Sequence, residues 1–428
     1  MIMRPEVSVV IPTHNRAERL RRTLASLETQ HAAAGSFEVI VALDDCTDDT
    51  PRVIAAFEHR LPLRCCINTG RRGAAAARNA GAAIAHGRIL LFLDDDMEAL
   101  PSLVEAHLTA HRVRVDQVVL GYFPMQPPAP DDDWFTKASR LWWAEGFAAR
   151  AQPQHRFTFL DLCTGNVSLP SRLFFELGGF DEQIDGAAAG EDYEFGYRLI
   201  QRAVPFVYAP DAASVHHTHT PFAVRLRRAR QEGVGQALVV RRHPELFAAL
   251  PIARLSGAAD RTPLRQLWGP LWRHPWLSAA PVAVLRALVS LLARWQMTSL
   301  VLRTYPFLYG HAYLSGVREV MSLREWEQLV QEAPLEPPQM TEVDVMLPAD
   351  LSRLDALMDS QRVDAVRVWW RGAAVGRIAP VAGALPLTGA QLHRLLQERF
   401  GAVMLAALLE QQASVAAPRD MATSGDRW

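Results

Sequence analysis

The chain has 428 residues, 49% of them hydrophobic and 21% charged, which is enough length for two or three domains and the composition of an ordinary folded protein. A formal net charge of −1 excludes a general attraction to nucleic acid. Four cysteines, Cys46, Cys65, Cys66 and Cys163, form no C-x-x-C pair, which argues against a zinc site or a disulfide scaffold and for free thiols in a reducing compartment.

The opening stretch, MIMRPEVSVVIPTHNR, runs directly into a strand and shows no export signal, so a cytoplasmic location is expected. VSVVIP (Val7 to Pro12) is followed by a helical pattern with Leu20, Leu24 and Leu27 on one face, and then by FEVIVAL (Phe37 to Leu43). The spacing next predicts a helix near Pro51 to His59 and a strand at Leu63 to Ile67. An Ala-rich helix from Ala74 to about Ala85 and the strand Ile89 to Leu93 follow. Apolar strands without alternation, each followed by a helix, indicate an α/β fold whose mainly parallel sheet is covered on both faces. In such sheets ligands bind beyond the carboxyl ends of the strands. Three polar segments lie at those ends: PTHNR (Pro12 to Arg16), DDCTDDT (Asp44 to Thr50) and DDD (Asp94 to Asp96).

Three carboxylates at the mouth of an apolar strand repel one another and call for positive charge. Asp94 and Asp96 can offer oxygens to a hard divalent cation, so a metal is the expected partner. The shortness of D-x-D leaves a solvated acidic turn as the alternative. Glu191 and Asp192, in GEDYEF, open an amphipathic helix after the DGAAAG stretch, where acids also serve as helix N-terminal partners.

Taken in order, VSVVIPTHNR, EVIVALDDCTDDT, GAAAARNAGAAIAHGRILLFLDDD, GNVSLPSRLFFELGGFDE, GEDYEFGYRL and VYAPDAASVHH resemble the motifs of family 2 glycosyltransferases with the Rossmann-like GT-A fold. The resemblance covers roughly the first half of the chain. It implies a sugar transferred from a UDP-, GDP- or TDP-sugar to an unknown acceptor hydroxyl, with Mn²⁺ or Mg²⁺ as cofactor. It assigns Pro12, Thr13, Arg16, Asp44, Arg78, Asp94, Gly165 and Asn166 to substrate, and Asp94, Asp96 and His216 to the metal. Asp192 becomes the base, Glu191 its neighbour in positioning, and a single displacement gives inversion. Asp95, in the middle of the triplet, is expected to tolerate substitution best. The alternatives are a nucleotidyltransferase and a non-catalytic protein that keeps the fold to bind a nucleotide sugar or a glycan. PTHNR does not supply the Gly-rich, Lys-bearing loop of the former.

On this reading residues 1–220 form the catalytic domain and 221–331 an Arg-rich helical extension. Residues 332–339 form a linker, 340–413 a small α+β module and 414–428 a tail. The longest apolar region, Pro281 to Leu302, is interrupted by Arg286 and Arg294 and falls short of a membrane span. A helix over 282–302 is expected there, either lying on an anionic lipid surface or packing against the catalytic domain. In the last module DAVRVWWRGAAVGRIAPV predicts a hairpin, and TGAQLHRLLQERFGAVMLAALLE a helix.

Overall fold

The structure is a computed structural model and describes residues 4–33, 35–184, 190–255, 279–332, 340–347, 349–350 and 353–416. Most of DGAAAG (185–189), most of the expected linker, the tail beyond 416 and Arg261, Arg265 and Arg273 lie outside them. The described residues fall into two compact units, one within Met1–Gln152, Phe157–Glu336 and Ala382–Ala384, the other within Pro153–Arg156, Pro337–Val381 and Leu385–Trp428.

The first unit begins β1 (Val7–Thr13), α1 (Ala17–Leu27), β2 (Phe37–Leu43), α2 (Thr50–Phe57), β3 (Leu63–Ile67), α3 (Ala74–Ala83) and β4 (Ile89–Leu93). It continues with β5 (Met97–Ala99), α4 (Leu103–Val113), β6 (Val118–Tyr122), α5 (Trp134–Arg150), β7 (Asn166–Pro170), α6 (Ser171–Glu176), α7 (Gly190–Gln201) and β8 (Phe206–His216). The eight strands form one sheet in the order β3-β2-β1-β4-β7-β6-β8-β5. β3, β2, β1 and β4 run parallel, as the apolar runs predict, whereas β7 is antiparallel to both β4 and β6, and β5 is antiparallel to β8. The chain passes from β3 back across β1 to β4, so the strand order reverses between β1 and β4. That crevice is where a ligand is expected in an open α/β sheet.

Every residue of β1 and β4 is buried, so the sheet is covered on both faces. Val7, Val9 and Ile11 pack with Leu20, Leu24 and Leu27 of α1 and with Val53, Ile54 and Phe57 of α2 in one apolar cluster. Each such fully buried leucine contributes roughly 1.5–3 kcal/mol, which makes this cluster the rigid mount for the loops beyond the strands.

A polar chain runs through the middle of this apolar interior. Asn166 and Ser168 on β7 face His107 and His111, which sit four residues apart on α4. His107 Nε2 lies 2.8 Å from Asn166 Oδ1, and its Nδ1 lies 2.8 Å from Ser168 Oγ, which in turn lies 2.9 Å from His111 Nε2. The Asn166 amide nitrogen donates to the Ala212 carbonyl at 2.9 Å. Burial pushes both imidazoles down to about 4, so both are neutral in the fold.

Further along, α8 (Phe222–Arg242), α9 (Pro251–Leu255), α10 (Ala279–Arg294), α11 (Thr298–Val320) and α12 (Leu323–Glu332) extend the same unit. The single helix expected over 282–302 is two helices. The chain turns at Gln296, whose φ of 54° no helix continues. α8 and α11 cross at two glycines: a Cβ on Gly233 would stand 2.0 Å from the Tyr313 carbonyl oxygen, and one on Gly316 would stand 1.9 Å from that of Arg230. Tyr309 donates to Glu232 at 2.7 Å and Tyr313 to Gln236 at 2.6 Å across the crossing. Much of the arginine excess of this segment is spent internally: Arg225 on Glu232, Arg230 on Glu319, Arg241 on Glu325 and Arg242 on Asp181.

The second unit contains β9 (Glu342–Leu347), α13 (Leu354–Ser360), β10 (Ala365–Trp370), β11 (Ala373–Ile378) and α14 (Gly389–Ala416). The expected hairpin is β10–β11, turning at Arg371 and Gly372, and β9 adds a parallel third strand.

Two outcomes follow from this architecture. Between about pH 6.5 and 4 the unfolded chain takes up protons at His107 and His111 that the fold refuses, so stability is lost as pH falls through that window. The melting temperature of His111→Gln, which keeps a polar partner for Ser168, should fall less steeply over the same range than that of the parent. Gly316→Val should lower the melting temperature by several degrees, since the two backbones must separate. Ser315→Ala, which removes only a hydroxyl bonded back to the His311 carbonyl of the same helix, should leave it nearly unchanged.

Candidate active site

The three polar segments expected at the strand ends do converge. The Asp44 amide donates to the Thr13 carbonyl at 2.9 Å, and Asn15 Oδ1 accepts from the Thr47 and Asp48 amides at 2.7 and 3.2 Å. Thr13 and Arg16 then reach across the β1–β4 crevice to the aspartate triplet. Thr13 Oγ1 donates to Asp95 Oδ2 at 2.8 Å and Arg16 Nη1 to Asp95 Oδ1 at 3.0 Å. Pro12 stays within the buried strand β1.

The triplet is divided by its partners. Asp94 turns towards α3, where Arg78 Nη2 donates to its Oδ1 at 2.8 Å. Asp95 is buried against Thr13 and Arg16, and its carbonyl accepts from Thr23 Oγ1 at 2.9 Å. Asp96 accepts from Arg19 Nη1 at 3.1 Å, with Arg16 at 3.7 Å and His216 Nε2 at 3.5 Å. Two expectations change here. Much of the positive charge that the carboxylates need comes from arginines, which the chain itself supplies. Asp95 is an anchored member of the three and not the permissive one, because its buried side chain ties the loop to Thr13 at the end of β1 and to Arg16 just before α1.

Arg78 sits on the buried face of α3 and joins two parts of the site. Its Nη1 donates to Glu191 Oε1 at 3.1 Å, so one guanidinium holds the end of β4 and the start of α7 together. Burial alone would push this guanidinium down, but Asp94, Glu191 and Asp192 outweigh it and hold the charge on firmly. Its Nε is buried with no hydrogen-bond partner among the described residues. Asp192 lies beside this pair and accepts from Thr164 Oγ1 at 2.8 Å and from the Thr164 amide at 3.4 Å. Burial raises its pKa, against the pull of Arg78 and of the Thr164 hydrogen bonds. For Asp95, burial likewise wins over Arg16 and pushes the carboxyl up to about 6. Asp96 goes the other way: burial would raise it, but the His216 ring, Arg16 and Arg19 hold it below its ordinary value.

Gly165 lets the next strand approach this cluster. Its carbonyl accepts from the Asp94 amide at 3.2 Å, and a Cβ there would meet Met97 Cε at 2.7 Å and Asp94 Oδ2 at 3.3 Å. Asn166, by contrast, is turned inward and fully engaged with His107 and the Ala212 carbonyl, so it braces the site from below. Asp44 is buried at the end of β2. Its two oxygens accept from Asn68 Nδ2 and from the Gly73 amide, each at 2.9 Å, and thereby tie β2 to the start of α3.

The three histidines at and after the end of β8 separate cleanly. His216 faces Asp96, His217 pairs with Glu98 at 2.6 Å, and His219 pairs with Asp132 at 3.7 Å. His216 Nδ1 is buried without a hydrogen-bond partner among the described residues. Among the same residues no three His, Cys, Asp or Glu side chains stand close enough to hold a metal by themselves. Arg19 and Thr164 are the site residues that sequence reasoning missed. The signal for Arg19 was its position in the first turn of α1, which starts directly after Arg16 at the helix cap and so brings both guanidiniums to the same end of the helix.

The family model described as Glycosyl transferase family 2 matches residues 8–175. Validoxylamine A glucosyltransferase of Streptomyces hygroscopicus subsp. jinggangensis (strain 5008) is 33% identical over 296 residues, covering 61% of this chain and 67% of that protein. The protein of the same name from S. hygroscopicus subsp. limoneus is 32% identical over 296 residues, covering 61% and 63%. The aligned part thus spans about two thirds of these relatives' length. Among solved structures, the mannosyltransferase PcManGT from Pyrobaculum calidifontis, in complex with GDP-Man and Mn²⁺, shares the fold. Its TM-score is 0.50 at 21% identity, covering 74% of this chain and 87% of that one. With the motifs in order along a mainly parallel sheet of the GT-A type, the chain belongs to glycosyltransferase family 2 and is a glycosyltransferase.

Proposed function

We propose that this enzyme moves a sugar from a nucleoside diphosphate sugar to an acceptor hydroxyl with inversion at the anomeric carbon. The observation that carries the reading is the single Arg78 guanidinium on which Asp94 and Glu191 meet, with Asp192 beside them. Asp192 takes the proton of the acceptor hydroxyl as its oxygen bonds to the anomeric carbon. The bond from that carbon to the diphosphate breaks, and the nucleoside diphosphate leaves with the electron pair. A carboxylate whose pKa is raised by burial is a stronger base than one in water, which suits this role. Glu191, fixed by Arg78, positions Asp192 at the first turn of α7. The half-exposed guanidiniums of Arg16 and Arg19 stand at the crevice where the diphosphate would lie.

Five carboxylates, Asp94, Asp95, Asp96, Glu191 and Asp192, share this site with four guanidiniums, those of Arg16, Arg19 and Arg78 and that of Arg228, which feels the charge of Asp96. The remaining negative charge and the imidazole of His216, whose Nε2 stands 3.5 Å from Asp96 Oδ1, fit a divalent cation, Mn²⁺ or Mg²⁺. Asp96 and His216 would hold it, with Asp94 at the margin, and the donor's phosphates would complete its ligands. Bound there, the cation supplies Lewis-acid stabilisation of the departing diphosphate. The names of the two curated relatives make a glucosyl donor and validoxylamine A the first members of the test panel.

The test is nucleotide release from a panel of UDP-, GDP- and TDP-sugars with Mn²⁺ or Mg²⁺, with and without candidate acceptors. Turnover of none of them, in protein shown to be folded, overturns the reading. Asp192→Asn should keep nucleotide-sugar binding and its melting temperature while losing transfer by roughly 100-fold or more. Asp96→Asn should lose metal-dependent nucleotide binding, measured calorimetrically. Asp95→Ala leaves the buried Thr13 hydroxyl without its partner, while half-exposed Arg16 keeps Asp96 at 3.7 Å. This substitution should cost on the order of 1–3 kcal/mol of stability, read as a lower melting temperature.

A further inference from the structure

Large apolar side chains exposed on the described surface are not scattered evenly. Of the seventeen such residues, seven lie between 284 and 302: Val284, Leu288, Leu291, Trp295, Met297, Leu300 and Leu302. Val284, Leu288, Leu291 and Trp295 follow the 4-3-4 spacing that lines up one face of α10. A neighbouring face, Val282, Leu285, Val289 and Leu292, packs into the cluster with Phe135, Leu226 and Leu308. α10 is therefore apolar on two sides and seated on one. Val284 and Trp295 are 71% and 70% exposed, the latter at the turn into α11.

Along this stretch of chain the charge has one sign. From 279 to 318 the chain carries Arg286, Arg294, Arg303 and Arg318 and no Asp or Glu. A second copy of the same face would set these arginines against one another, which disfavours self-association. An anionic surface would be attracted instead, with arginine heads at the polar boundary and the Trp and Leu side chains in the apolar layer. No helix of the described residues is long and apolar enough to cross a membrane, so the contact would be one of lying on the bilayer and not of spanning it.

We propose that the outer face of α10 and the α10–α11 turn is a docking surface for an anionic lipid bilayer. The contact does not depend on the catalytic reading, because it is measured without donor or acceptor. The test is co-sedimentation of the full chain with vesicles of phosphatidylcholine alone and of phosphatidylcholine mixed with phosphatidylglycerol, at low and high salt. The expected result is binding to the mixed vesicles that weakens with salt and with Arg294→Ala, and little binding to phosphatidylcholine. Leu288→Glu with Trp295→Glu, on an exposed face, should keep the parent melting temperature and bind the mixed vesicles at least roughly tenfold more weakly. Protein that stays in the supernatant with mixed vesicles at low salt overturns the proposal, as does a double variant that binds like the parent. Equal binding to both vesicle types overturns its electrostatic part. A concentration-dependent dimer in analytical ultracentrifugation that Leu288→Glu dissociates assigns the face to a second copy and also overturns it.

Discussion

One buried guanidinium fixes the relation between the two halves of the candidate site. Arg78 has no route to water, so its charge is sustained by Asp94 and Glu191, and they in turn are held at 2.8 and 3.1 Å from it. Removing one partner from such a group leaves an uncompensated buried charge, which is far more costly than the net worth of the intact set. The sheet end and the α7 start are thus obliged to stay together, and Asp192 is carried into place by that obligation. The energetic weight lies in geometry and not in stability: an apolar set of the same volume, replacing all three side chains together, could pack as well, but it could not present oriented carboxylates.

The other half of the centre is built on a different logic. Asp95 is enclosed by Thr13, Arg16 and its own carbonyl's bond to Thr23, so it works as a fastener between β4, β1 and α1. Asp96 and His216 are left at the crevice with the half-exposed Arg16 and Arg19. The triplet therefore places three chemically equal side chains in three distinct electrostatic settings. Asp94 answers to Arg78, Asp95 is raised by burial, and Asp96 is lowered by the cations around it.

How much of this was legible in the sequence depended on whether the signal was local. The strands β1, β2, β3 and β4 announce themselves by unbroken apolar runs, and the convergence of Pro12 to Arg16, Asp44 to Thr50 and Asp94 to Asp96 follows from a parallel sheet. The antiparallel placement of β7 and β5 does not, because strand direction is set by long-range pairing that no residue encodes by itself. The same applies to Asp95, whose role depends on Thr13 and Arg16, 82 and 79 residues earlier in sequence. The break at Gln296 was hidden because WQM continues a helical apolar pattern and contains neither Gly nor Pro. His107 and His111 did carry a signal, since i and i+4 share a helix face, but only the fold reveals that Ser168 stands between them.

Asp44 bears on how the ends of a bound donor would communicate. Both its oxygens are taken by groups at the entrance to α3, the Asn68 amide and the Gly73 backbone. Five residues on, the same helix carries Arg78, about 7.5 Å further along its axis. A ten-residue helix is stiff over that distance, so α3 acts as a short lever, held at its start by Asp44 and carrying a charged tip that grips Asp94 and Glu191. Any group that rearranges the Asp44 contacts moves the tip with it, and the alignment of Asp94 and Glu191 is thereby tied to what occupies the far side of the crevice.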